Sequence, residues 1–108
     1  MIQVTIYRND NRITAFKLSG HADSGPYGYD LVCAGVSAVS IGTVNAVMTL
    51  CDADLQIEQG EDGGYLYVQI PTKAVDNIEQ VQLLFEGMLV SLQSIESEYG
   101  EFIKIRTL

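Results

Sequence analysis

The chain predicts an α+β fold: a single compact domain in ββαββαβ order, with a mixed or antiparallel sheet packed with two helices. Three observations carry this expectation. Two pairs of alternating apolar and polar segments are each joined by turn residues, two long segments are apolar at helical spacing or on most faces, and a last short alternation closes the chain. At 108 residues the chain forms one domain over residues 1–108, able to bury roughly two-thirds of its unfolded surface without metal or disulfide staples.

Residues 2 to 8 set Ile2, Val4 and Ile6 against Gln3, Thr5 and Tyr7, as a half-buried strand does, and Asn9-Asp10-Asn11 supplies a turn. The return strand, residues 12 to 19, carries Ile13, Phe16 and Leu18 and ends at Ser19-Gly20. Gly25-Pro26 and Gly28 punctuate a loop of about ten residues that can move or admit a ligand's backbone. A helix follows through about Leu50, with Asp30 as its N-cap and Cys33 as its third residue, within reach of the first-turn amides. It is apolar on nearly every face and rich in small residues (Ala34, Gly35, Ser37, Ala38, Gly42, Ala46), the pattern of a helix packed closely between other elements. Glycine, serine, threonine and asparagine interrupt its apolar run, which reads as a buried helix rather than a membrane span, and Met1-Ile2-Gln3-Val4 lacks the basic start of a signal peptide.

Residues 53 to 59 alternate Ala53, Leu55 and Ile57 against Asp54, Gln56 and Glu58, and residues 65 to 70 return through Gly60-Glu61-Asp62-Gly63-Gly64. Pro71 precedes an amphipathic helix over residues 73 to 98, with Val75, Ile78, Val81, Leu84, Phe85, Met88, Leu92, Ile95 and Tyr99 on a stripe that covers a sheet face. Gly100 caps it, and residues 102 to 106 form the last strand. The two successive ββα blocks echo each other.

Hydrophobic residues make up 47% and charged residues 19% of the chain, which excludes disorder. A net charge of −8, with only six lysines and arginines, opposes direct nucleic-acid binding, because phosphates require cations. Two cysteines without a secretory signal point to a reducing cytoplasm and free thiols. A bond between Cys33 and Cys51 is excluded by their separation along one helix, ~27 Å at the helical rise. One histidine and two distant cysteines make no zinc site, and no Gly-rich phosphate loop is present, so no cofactor is expected.

The chemistry concentrates in Gly20-His21-Ala22 and in Asp30-Leu31-Val32-Cys33-Ala34. A thiol near a helix start is favoured as thiolate by the amides and the positive dipole end, and an imidazole can take its proton. Cys33 would then attack a carbonyl while His21 removes the thiol proton and later protonates the leaving amine. First-turn amides can stabilise the oxyanion. Asp30 serves such a site as a cap that fixes the helix start, and Asp23 is a candidate to orient the imidazole. Ser37, one turn beyond Cys33 on the same face, either supports the site or bonds back to its own helix. Cys51 lies at the helix's C-terminal end, where the dipole disfavours a thiolate. Tyr27 and Tyr29 are candidate loop contacts.

Gly20-His21-Ala22, Gly28, Asp30, Val32-Cys33-Ala34 and Val36-Ser37-Ala38 together resemble the ribosomal-processing cysteine proteases called Prp. The match is specific over residues 20 to 38 and elsewhere lies in length and element order. The resemblance implies a cytoplasmic endopeptidase of Firmicutes and related bacteria that removes a short N-terminal extension from large-subunit ribosomal protein twenty-seven before ribosome assembly. It places the family's histidine on His21 and its nucleophile on Cys33, with Asp30 and Ser37 as supporting positions. The family's mobile substrate loop corresponds to Ala22, Asp23, Ser24, Gly25, Pro26, Tyr27, Gly28 and Tyr29, and family members are similar in forming homodimers. The chain departs from many relatives at Asp23-Ser24, where they carry a glycine, and at Gly35, often alanine. The acidic balance suits a basic ribosomal partner, although an apolar extension also needs a hydrophobic groove.

A non-enzymatic assembly factor binding a basic ribosomal protein is the alternative, but a binding module has no need of thiol and imidazole together. A thiol-redox protein is a second alternative, and it lacks the paired Cys-x-x-Cys.

Overall fold

The computed structural model describes residues 1–20, 29–60, 64–71 and 76–108. In chain order it contains β1 (Ile2–Asn9), β2 (Arg12–Ser19), α1 (Tyr29–Leu50), β3 (Gln56–Gln59), β4 (Tyr65–Gln69), α2 (Ile78–Tyr99) and β5 (Ile103–Thr107). This is the expected ββαββαβ order. The strands lie as β3-β4-β2-β1-β5 in one mixed sheet, in which β1 and β5 run parallel and every other pair is antiparallel. The two hairpins therefore sit side by side through β2 and β4.

The first hairpin closes through Asp10 and Asn11, at φ 52° and 67°. Both are left-handed, the conformation a two-residue turn needs to match strand twist, and short polar side chains tolerate it best. Beyond the turn, alternation buries Ile2, Val4 and Ile6 together with Phe16, Val68 and Ile103. Both helices cover this face, α1 through Val32, Val36, Val44 and Val47 and α2 through Val81, Phe85, Met88 and Leu92. The rings of Phe16 and Phe85 meet at 5.7 Å. Each fully buried side chain of this size contributes about 1.5–3 kcal/mol, so these stripes fix how the helices are rotated on the sheet. On the opposite face Thr5 is buried as well, beneath Arg106, whose Nε donates to its hydroxyl at 3.3 Å.

Two polar links tie α2 to the first hairpin. The buried Gln82 carboxamide donates to the Ile13 carbonyl and accepts from the Ile13 N–H, both at 2.8 Å. Arg8 on β1 grips Glu86 through two bonds of 2.8 and 2.7 Å. That hydrogen bonding holds the Glu86 carboxyl below its ordinary pKa and Arg8 above its own, against partial desolvation. Both side chains remain partly exposed, so solvent screens most of the pair's value.

Four expectations need correction. The first helix starts at Tyr29, two residues early, so Asp30 lies inside the helix rather than at its N-cap, and Cys33 is its fifth residue. An aromatic residue carries no steric bar to the first helical position, so the ladder starts as soon as the glycine-spaced stretch ends. That helix is also not enclosed on all sides: Leu31 is 61% exposed, and Ile41, Met48 and Leu50 face outward too. Residues 53 to 55 are not paired strand, although Ala53 and Leu55 are buried, because the alternation there reflects the chain's passage over the core edge. The second helix begins at Ile78 rather than 73, after a turn at Asp76 and Asn77, where the Asn77 amide donates to the Cys51 carbonyl at 3.0 Å. Val75 lies outside the described residues.

Gln82→Leu keeps the volume at that site but strands two buried backbone groups of Ile13, and is expected to cost about 2 kcal/mol or more. Urea denaturation of the variant checks this. An unchanged midpoint would show that the carboxamide contributes only packing.

Candidate active site

Val32 and Val36, the neighbours that bracket Cys33, are both buried against the sheet. At about 100° per residue, anchoring those two puts Cys33 at the border of the buried stripe, packed on the core and partly open to solvent. Ser37 and Ile41 follow at successive helical turns on the same face.

These three residues form one wall of a cleft of about 340 Å³. Leu18, Ser19 and Gly20 at the end of β2 line it from the sheet, and Gln59, Gly60, Tyr65 and Leu66 from the second hairpin. The wall carries both apolar side chains and main-chain groups, which suits a peptide rather than a small charged ligand.

Gly20 fixes how the chain leaves β2. Its φ of 90° is one that L side chains rarely adopt, and an added Cβ would run into the Met1 carbonyl oxygen. Its N–H donates to the Gly64 carbonyl at 3.0 Å, which extends the β2–β4 pairing to the cleft. His21 is the next residue in the chain, and it lies outside the described residues, as do Ala22, Asp23, Ser24, Gly25, Pro26, Tyr27 and Gly28. Tyr29, expected in the loop, is the first residue of α1. Of the expected site residues, Cys33 and Ser37 are thus brought together at the cleft, and Asp30 lies in the first turn of the same helix.

Cys51 is elsewhere. It is 6% exposed in the core cluster, just past α1, where its N–H donates to the Val47 carbonyl. Both thiols are free. Among the described residues no group of three or more His, Cys, Asp or Glu side chains could hold a metal ion.

Sequence reasoning missed Ile41, Leu18, Leu66 and Gln59 as cleft residues. Ile41 was legible in principle, eight residues after Cys33 and on its face, whereas the others depend on which strand ends meet α1.

The family model for cysteine protease Prp matches residues 1–104. The chain belongs to this family. It is similar to the ribosomal processing cysteine protease Prp of Bacillus subtilis (strain 168), at 46% identity over 99% of this chain and 97% of that one. The Staphylococcus aureus (strain Mu50) protein of the same name is 44% identical over 97% of each chain. A crystal structure of an essential ribosomal processing protease Prp from Staphylococcus aureus, with a covalently linked product peptide, matches with a TM-score of 0.89 and 41% identity over the whole of both chains. The Streptococcus mutans protein SMU.848 matches with a TM-score of 0.89 and 37% identity, over all of this chain and 94% of that one. Prp membership makes the chain a cysteine-type peptidase, which favours turnover over the non-enzymatic and thiol-redox alternatives.

Iodoacetamide is expected to modify Cys33 at least tenfold faster than Cys51, read by peptide mapping of the folded protein at neutral pH, because burial denies the reagent the second thiol. Equal labelling would contradict the placement of the two sulfurs.

Proposed function

We propose that residues 1–108 form a single cysteine endopeptidase domain that removes the N-terminal extension of large-subunit ribosomal protein twenty-seven during ribosome assembly, using a dyad of His21 and Cys33. One observation carries this reading: the single solvent-accessible thiol among the described residues lines a peptide-sized cleft, and Gly20, the residue before His21, lines the same cleft. The relatives named as ribosomal processing proteases, together with two Staphylococcus aureus structures solved with a product and a substrate peptide, support the substrate class.

In the proposed reaction His21 takes the Cys33 proton and the thiolate attacks the scissile carbonyl carbon. The oxyanion is met by N–H groups of the first turn of α1, which have no acceptor within the helix itself. Collapse breaks the C–N bond as His21 returns its proton to the leaving amine, and water then cleaves the thioester with His21 again as base, regenerating the thiol. Asp30 supports the start of α1 and Ser37 the thiol's face of the helix, while residues 22 to 29 contact the substrate. No cofactor, direct nucleic-acid contact or membrane is required, and the setting is cytoplasmic.

The functional unit is a homodimer. Leu31 and Met48 of α1 and Leu83 and Val90 of α2 are exposed, with Leu83 72% accessible. Between the helices lies a shallow groove of about 430 Å³ floored by Ala38, Gly42 and Gly87. A second copy is the simplest cover for so much apolar surface on a chain that is otherwise acidic. Sedimentation at micromolar concentration is expected to give twice the chain mass, and a monomer there would remove this part of the proposal.

Incubation with the extended ribosomal protein, read by mass, tests the reaction. Cys33→Ala is expected to abolish cleavage while keeping the fold, His21→Ala to slow it at least a hundredfold, and Cys51→Ala to leave it intact. Normal turnover by Cys33→Ala would overturn the assignment.

A further inference from the structure

The two edges of the sheet are treated differently. On the β5 edge the outward N–H of Ile105 is taken by the Glu96 carboxylate of α2 at 2.7 Å. On the β3 edge no described residue does the same. Gly60 donates to the Tyr65 carbonyl at 3.0 Å, which fixes the hydrogen-bonding phase of the second hairpin. With Gln59 opposite Leu66 and Glu58 opposite Tyr67, that phase turns the N–H and C=O of Glu58 toward β4 and those of Ile57 and Gln59 away from it. No described residue bonds these outward groups. Natural edges of this kind are usually blunted by charge, proline or a covering element, and here the outermost apolar side chain, Ile57, is 40% exposed.

This open edge runs into the cleft. Gln59 and Gly60, at the end of β3, line it together with Cys33. We infer that the peptide cleaved at Cys33 binds as an added strand along the free edge of β3, pairing with the main chain of Ile57 and Gln59. The inference rests on the peptidase reading and specifies how that site holds its substrate. Main-chain pairing selects an extended segment without regard to sequence, and adjacent strands lie ~4.8 Å apart. Peptide residues opposite Ile57 and Gln59 share their face, the helix-covered one, so every second side chain is directed to the α1 wall, where Ile41 is exposed. The substrate class is therefore an extended segment with apolar residues at alternate positions.

Binding to the Cys33→Ala protein reads this without turnover. The probe is a fluorescein-labelled synthetic peptide spanning the N-terminal extension of ribosomal protein twenty-seven, followed by anisotropy. Ile57→Pro removes the outward N–H without touching a β3–β4 bond, a position where an edge strand accepts proline, and Ile57→Ala keeps that N–H. The proline variant is expected to bind roughly fivefold more weakly than the alanine variant. A scan of N-methylated peptides against unaltered β3 is expected to weaken binding at alternate residues. Equal affinities for both variants, or a scan without the two-residue period, would overturn the inference. Cleavage by the unaltered chain, measured separately, tells this failure from failure of the peptidase reading.

Discussion

Burial of Val32 and Val36 against the sheet is the constraint on which the site depends. These two side chains set the rotation of α1, and rotation alone decides whether Cys33 faces the core, the solvent or the boundary between them. A boundary position suits a nucleophile, since a fully buried thiol meets no substrate and a fully exposed one has no cleft beside it. The same rotation lines up Ser37 and Ile41 behind the sulfur, so one packing decision builds a whole wall of the cleft.

The opposite wall comes from strand pairing. Because β2 and β4 are neighbours, the end of the first hairpin and the turn end of the second arrive at the same side of the sheet, and the Gly20–Gly64 bond joins them there. The only left-handed glycine among the described residues stands at this junction, where backbone geometry and a close approach to Met1 both require it. α2 contributes at a distance: Gln82 and Glu86 clamp the far end of the first hairpin, leaving the cleft end to be shaped by α1 and the two hairpins.

Much of this was legible in the residues. Alternation in Ile2–Ile6 and the Asp10-Asn11 turn gave the first hairpin nearly to the residue, because both signals are local. The stripe Val81, Phe85, Met88 and Leu92 likewise identified the buried side of α2. Readings failed where tertiary context decided. Ala53 and Leu55 alternate without pairing, and the all-round apolarity of α1 concealed that Leu31, Ile41, Met48 and Leu50 stay exposed. Gln82 on an apolar stripe carried no local sign that its carboxamide would satisfy a strand. The motif around Cys33 was legible, but the cleft beside it required knowing that β3 and β4 lie at that end of α1.

The account's central claim is that the Cys33 sulfur forms the bond to substrate within the cleft. Mass mapping after exposure to a substrate-derived peptide bearing a C-terminal chloromethyl ketone tests it most directly. A single adduct on Cys33, suppressed by excess unmodified peptide, is the result the account predicts; an adduct on Cys51, or Cys33 labelling indifferent to competing peptide, would contradict it.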